Sequence, residues 1–153
     1  MGEAGVSKAR RSQEFVYMTY LIPKKKPKKF TKKDRAKLMK KAWKLFSIYV
    51  RESKADWRGY VACCCCGAVY LWNSGEIHAG HWIHDRLDFD ERNIHPQCRN
   101  CNYKYNKNTN TAYAIFMART YGVEEMVQIK KLAMKKGNNY STKELEAIIK
   151  KYS

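Results

Sequence analysis

The chain has 153 residues, 44% of them hydrophobic and 29% charged, which suits one small core and excludes a wholly disordered polymer. No stretch reaches the ~20 apolar residues that a membrane-spanning helix needs, so no such helix is expected. The net charge is +17, and residues 1–60 hold 18 Lys/Arg against 5 Asp/Glu. That is the footprint of a polyanion binder, with nucleic acid ahead of a plain solvated surface or an anionic membrane.

Residues 1–30 read as a basic N-terminal arm. Phe15 to Ile22 is rich in aromatic and β-branched residues and predicts a strand. It is too short for a span and lacks a small-residue cleavage site, so a cytoplasmic location with reduced thiols is expected. Pro23 to Lys29 is an extended, self-repelling linker. Its Lys24, Lys25, Lys26, Lys28 and Lys29 are expected phosphate contacts.

Residues 31–60 predict an amphipathic basic helix. Thr31 is its N-cap and Asp34 lies in its first turn. Leu38, Met39, Ala42, Trp43, Leu45, Phe46 and Tyr49 form an apolar stripe, which reads as core. Lys37, Lys40, Lys41 and Lys44 share the other face. Because they continue a basic arm, they are expected to contact the DNA backbone rather than only to solvate the helix.

Residues 61–110 carry the chemistry. Cys63-x2-Cys66 and Cys98-x2-Cys101 are two knuckles 31 residues apart. Each knuckle brings two sulfurs toward one point, and two knuckles supply the four thiolates of a closed, structural Zn²⁺ site. Gly67 suits the positive φ of such a turn. Cys64 and Cys65 are spare, either buried or able to substitute as ligands. Between the knuckles, Ala68 to Trp72 predicts a strand, Asn73 to Glu76 a turn, and Ile77 to Ile83 a returning strand. His78 and His81 lie on the return, His84 and Asp85 follow, and Asn93 and His95 precede the second knuckle. His95 reads as structural. Asn102 follows Cys101 at a helix start. Tyr103, Lys104, Tyr105 and Lys107 interleave rings and cations, fitting either base stacking or helix packing.

Residues 111–153 predict C-terminal helices. Thr111 to Arg119 and Val123 to Lys136 are separated by Gly122, and Gly137-Asn138-Asn139 is a turn. Ser141-Thr142-Lys143-Glu144 is a capping box opening a last helix. The expected class is α+β, a small zinc-stapled ββα core with a basic arm and flanking helices.

The order of knuckle, histidine strand, asparagine loop, knuckle and asparagine helix resembles the HNH (ββα-metal) nucleases in their zinc-stapled form, such as endonuclease VII-type junction resolvases. More closely, Cys63-x2-Cys66-Gly67, Ala79-Gly80-His81-Trp82, Arg86-x-Asp88-Phe89-Asp90-Glu91-x-Asn93, Gln97-Cys98-x2-Cys101-Asn102 and Tyr121-Gly122-Val123-Glu124 look like the NinG/Rap family of phage recombination endonucleases. The likeness covers about residues 46–132. It implies a structure-selective DNA endonuclease that uses Mg²⁺ or Mn²⁺ on branched intermediates such as Holliday junctions and D-loops. His81 would be the general base, because a histidine titrates near neutrality. Asn102 would offer a hard amide oxygen to the cation. Asn93 would orient the loop and thereby the base.

Gly80 departs from the wider superfamily, which carries Asp or His there as a metal ligand. The second ligand must come from elsewhere, with His78, Asp85 and His84 as candidates. Two opposing nicks in a four-way junction imply a homodimer. Competing functions are an HNH enzyme acting on ordinary duplex DNA and a non-catalytic zinc module that binds DNA as a recombination accessory.

Overall fold

A computed structural model describes residues 30–104, 111–137 and 139–153. The expected strand at 15–22, the arm lysines 24, 25, 26, 28 and 29, and Tyr105, Lys107 and Asn138 lie outside the described residues. Lys104 belongs to a helix, but its side chain also lies outside them.

Helix α1, Lys32–Glu52, opens with the expected cap. Thr31 accepts from the Asp34 amide, and the Asp34 carboxylate accepts from the Thr31 amide at 3.1 Å. Ala42, Phe46 and Val50 are buried, while Lys37, Lys40, Lys41 and Lys44 are exposed. Four short strands follow: β1 Tyr60–Ala62, β2 Val69–Leu71, β3 Ile77–His81 and β4 Ile94–Cys98. Then come α2 Arg99–Lys104, α3 Thr111–Lys135, which kinks at Gly122 (φ 79°, ψ 161°), and α4 Thr142–Lys151. The Ser141–Glu144 capping box closes the start of α4 as its spacing predicts. Among the described residues, no helix is long and apolar enough to cross a membrane.

The strand pairing differs from the expected hairpin. β2 pairs antiparallel with β1, and β3 pairs antiparallel with β4, from Ile77↔Cys98 to His81↔Ile94. The Asn73–Glu76 turn therefore links two separate two-stranded sheets. The reason lies in β4. Every residue of Ile94–Cys98 is buried, so the strand has no inside–outside alternation to betray it. It also contains Pro96, whose carbonyl accepts from the Cys64 amide at 2.9 Å.

Helices cover both faces of the β3–β4 pair. From α1, Phe46 and Val50 pack with Ile94, Ala79 and Phe89. From α3, Tyr113, Met117, Ile129 and Ala133 pack with Leu87, Trp82 and Ile83. Helix α4 lies on α1 through Leu145, Tyr140 and Ala42. Behind β1, Val61 and Ile77 share a cluster with Cys63, Cys98 and Cys101. The result is a mixed α+β fold with a strand–strand–helix unit, β3–β4–α2, at its centre.

Candidate functional site

The four knuckle cysteines converge. The Sγ atoms of Cys63, Cys66, Cys98 and Cys101 all lie within 4.8 Å of one another. Cys66 and Cys98 are 3.8 Å apart, about the tetrahedron edge set by Zn–S bonds of ~2.3 Å. Local structure explains the convergence. Cys63 donates its amide to Ala68 and Gly67 donates to Cys63, which folds residues 63–68 into a knuckle with Gly67 at φ 74°. Cys98 ends β4 and Cys101 lies in the first turn of α2, with its amide aimed at the Cys98 sulfur at 3.5 Å. The thiols divide sharply in acidity. Hydrogen bonding from Cys65 pulls Cys63 down to about 3, whereas burial raises Cys98 and Cys101. Such a crowded thiol set fits a closed Zn²⁺ site.

Cys64 and Cys65 stand outside this set. Their sulfurs are 3.7 Å apart, and Cys65 accepts from the Gln97 amide at 3.1 Å. Both pack toward the α3 cluster.

His81 closes β3. Its Nε2 bonds Asp88 Oδ1 at 3.2 Å, and its ring stacks on Trp43 of α1 with centroids 5.1 Å apart and planes 17° apart. His84 also stacks near it, with ring centroids 5.8 Å apart. Burial, and then the nearby His81, lower the His84 pKa. Asp85 is exposed, with φ 57°.

Asn93 is fully buried, and its amide is spent on the loop between β3 and β4. Oδ1 accepts from the Ile83 amide at 2.8 Å, and Nδ2 donates to Ile83 O, Arg86 O and Leu87 O at 3.1, 3.0 and 3.4 Å. Two further ties hold that loop. Arg92 bridges Asp90 and Glu125, and Glu91 accepts from Lys151, Tyr152 and Tyr49. The Lys151 ammonium holds the Glu91 carboxyl below its ordinary range.

Asn102 meets His78, not His81. Its amide nitrogen lies 3.1 Å from His78 Nδ1, while His78 Nε2 faces Gly75 O at 3.1 Å. His78 and His81 are three residues apart on one strand, so they leave it on opposite faces. Among the described residues, the His78–Asn102 pair and the His81–Asp88–Trp43 group share no hydrogen bond or ring contact. Asp85 joins neither group by such a contact.

Three residues with site contacts escaped the sequence reading. Asp88 lay inside the motif that carries the resemblance, but no local spacing ties it to His81. Trp43 read only as core stripe. Gln97 is buried and crosses toward Gly80, where an added Cβ would run into its Oε1 and lie 2.8 Å from its Cβ. Gly80 is thus demanded by close approach. His95 lies inside the core, bonded to Tyr113 and Tyr121 at 3.0 and 2.9 Å.

The family model described as Bacteriophage Lambda NinG protein matches residues 10–153. Curated relatives include "Protein ninG" of Salmonella phage P22 and "Protein ninG" of Escherichia phage 933W. Each is 29% identical over 133 residues, covering 84% of this chain. The chain spans 61% of the length of these relatives. No solved structure matches it.

Proposed function

The chain belongs to the NinG family, and from that premise we propose that it is a divalent-metal-dependent DNA endonuclease of the HNH kind. Its substrates are branched recombination intermediates such as Holliday junctions and D-loops, and it acts as a homodimer. The observation that carries this reading is His81, set by a charged hydrogen bond and a stacked ring at the end of a strand–strand–helix unit beside a four-thiol staple.

The proposed roles fall on the two faces of the β3–β4 pair, with the proton chemistry on the face of His81. Asp88 accepts from His81 Nε2–H, which leaves Nδ1 as the basic ring nitrogen. As water attacks phosphorus, Nδ1 takes its proton while the bond to the leaving oxygen breaks. Trp43 and Asp88 are positioning residues, because the role given to them is to hold the imidazole. Asn93 is also one, since its whole amide serves the loop that carries Asp88.

Mg²⁺ or Mn²⁺, when bound, would supply positive charge to the phosphate. The donors that fit are the Asn102 amide and His78 Nδ1, with Gln97 Oε1 near the strand position that lacks a side chain at Gly80. The contact with Asn102 favours His78 over Asp85 as the second ligand, on the face of β3 opposite His81, so the cation and the His81 base would meet the DNA from different faces of the strand pair. All three donors are neutral, so a hard cation would depend on the DNA phosphate for opposing charge. The exposed Lys37, Lys40, Lys41 and Lys44 extend from the helix that carries Trp43, which suits them to the flanking backbone.

The test is cleavage of a labelled four-way junction against matched linear duplex in Mg²⁺ and in Mn²⁺, with His81→Ala alongside. Junction-selective nicking that vanishes in the variant, with binding retained, supports the proposal. Equal cutting of both substrates would point to a duplex nuclease. Tight binding with no cleavage in either metal would leave a zinc-stapled DNA-binding accessory and remove the role given to His81.

A further inference from the structure

The β1–β2 ribbon breaks the usual rule for a two-stranded sheet. Its inner face carries Val61 against the cysteine cluster. Its outer face should be polar by alternation, yet it presents Tyr60 opposite Leu71 and Ala62 opposite Val69. Tyr60, Val69 and Leu71 are 41%, 57% and 43% exposed. Just before β1, Trp57 is 92% exposed, the highest value among the described large hydrophobic side chains. Arg58 links these rings. Its guanidinium carbon lies 5.6 Å from the Trp57 centroid and 5.6 Å from that of Tyr60. Asp56 holds the guanidinium through Nε and Nη2 at 3.3 and 3.1 Å.

We propose that this face is a stacking platform for unpaired DNA bases. Every base has a flat π-face, and an exposed aromatic with a fixed guanidinium beside it is the pair that binds such faces without regard to sequence. Charge selects nucleic acid over an apolar protein partner, because the chain carries +17 and residues 1–60, which include Trp57 and Arg58, hold most of it. The ribbon is already fixed from behind by the cysteine cluster, so little ordering is needed on binding. A duplex hides its base faces, whereas a branch point or single-stranded flank exposes them. The inference rests on the DNA-binding part of the proposed function and is independent of cleavage.

The test uses the full zinc-loaded chain without added Mg²⁺ or Mn²⁺. Binding of fluorescein-labelled oligo-dT and of a blunt, loop-free linear duplex is followed by anisotropy and by tryptophan emission. Trp57→Ala should weaken oligo-dT binding about tenfold, as for loss of one stacked base, and leave the duplex within about twofold. Trp57→Phe should retain most of the affinity, and oligo-dT should quench the parent's emission but not that of Trp57→Ala. Unchanged oligo-dT binding by Trp57→Ala, or an equal loss on both probes, would overturn the platform while DNA binding stands. A change in oligomeric state with no change in oligo-dT binding would also overturn it and assign the face to protein contact. If the parent chain bound neither probe, the DNA reading would fall and the platform with it.

Discussion

Replacing Asn93 with alanine should loosen the loop that orients His81, and the size of the effect follows from the hydrogen bonds. Three contacts are well made, at 2.8, 3.0 and 3.1 Å, and a fourth at 3.4 Å is weak. At about 1 kcal/mol net for each good bond, and with the part-buried Ile83 amide left unpaired, the loss is about 3–4 kcal/mol. In a chain of this size that lowers Tm by roughly 10 °C. The main-chain bonds from Asn93 to Asp90 and from Trp82 to Asn93 survive the change, so the fold should persist with a local weakness. Thermal unfolding of the zinc-loaded chain gives the global cost, and hydrogen exchange at Ile83 gives the local one. Asn93→Asp keeps the acceptor for Ile83 but turns a carboxylate toward three carbonyl oxygens, so it should be no better tolerated. If both variants melt within about 2 °C of the parent and the Ile83 amide exchanges at the parental rate, the amide is not what holds the loop.

Metal analysis should find one Zn²⁺ per chain. Cys98→Ser and Cys101→Ser should lose it, and Cys64→Ser and Cys65→Ser should keep it; zinc loss from either of the latter pair would redraw the ligand set. A chelator should unfold the chain, because a structural zinc contributes on the order of 10 kcal/mol, comparable to a whole domain's stability. Gly80→Ala should cost about 1–3 kcal/mol by overpacking against Gln97, and Gln97→Ala in the same chain should restore part of it; strictly additive losses in chemical denaturation would rule out that clash. Burial, and then Lys54, push the His95 pKa down to about 4. The unfolded chain takes up that proton near pH 6.5 and the folded chain refuses it until about 4. Stability is therefore present above 6.5 and falls by about 3 kcal/mol as pH drops through that window. His95→Gln, compared at equal zinc content, should flatten that slope, and an unchanged slope would assign it to other groups.

What was legible in the sequence was local or chemically unusual. The boxes Thr31–Asp34 and Ser141–Glu144 close within one helical turn, so spacing alone identifies them. The knuckles announce themselves because two thiolates at x2 spacing have few other uses in a reduced chain. Gly122 marks its kink because no neighbour in the helix pattern shares its φ. The failures were all long-range. Trp43 lies 38 positions before His81, and nothing near either residue names the other. Asp88 reaches His81 across a loop that the Asn93 amide ties to itself. The strand pairing was missed because β4 is buried on both faces, and burial erases the alternation that reveals a strand.

Gly80 shows most clearly why a site cannot be read one position at a time. Seen alone, a glycine where the resemblance to HNH nucleases leads one to expect an acid or a histidine looks like a lost ligand. In the fold it is the residue that lets Gln97 cross from β4, so a buried amide occupies the space a side chain would have filled. Gly80 pairs with His95 and Gln97 with His78, so the amide arrives on the diagonal, along the same face as His78. Asn102 approaches that face from α2. Under the proposed function, the oxygen that strand β3 does not carry at residue 80 comes from its partner strand. Gly80 and Gln97 then form one structural unit. Restoring an acid at residue 80 without shortening residue 97 should therefore destabilise the fold, not improve a metal site.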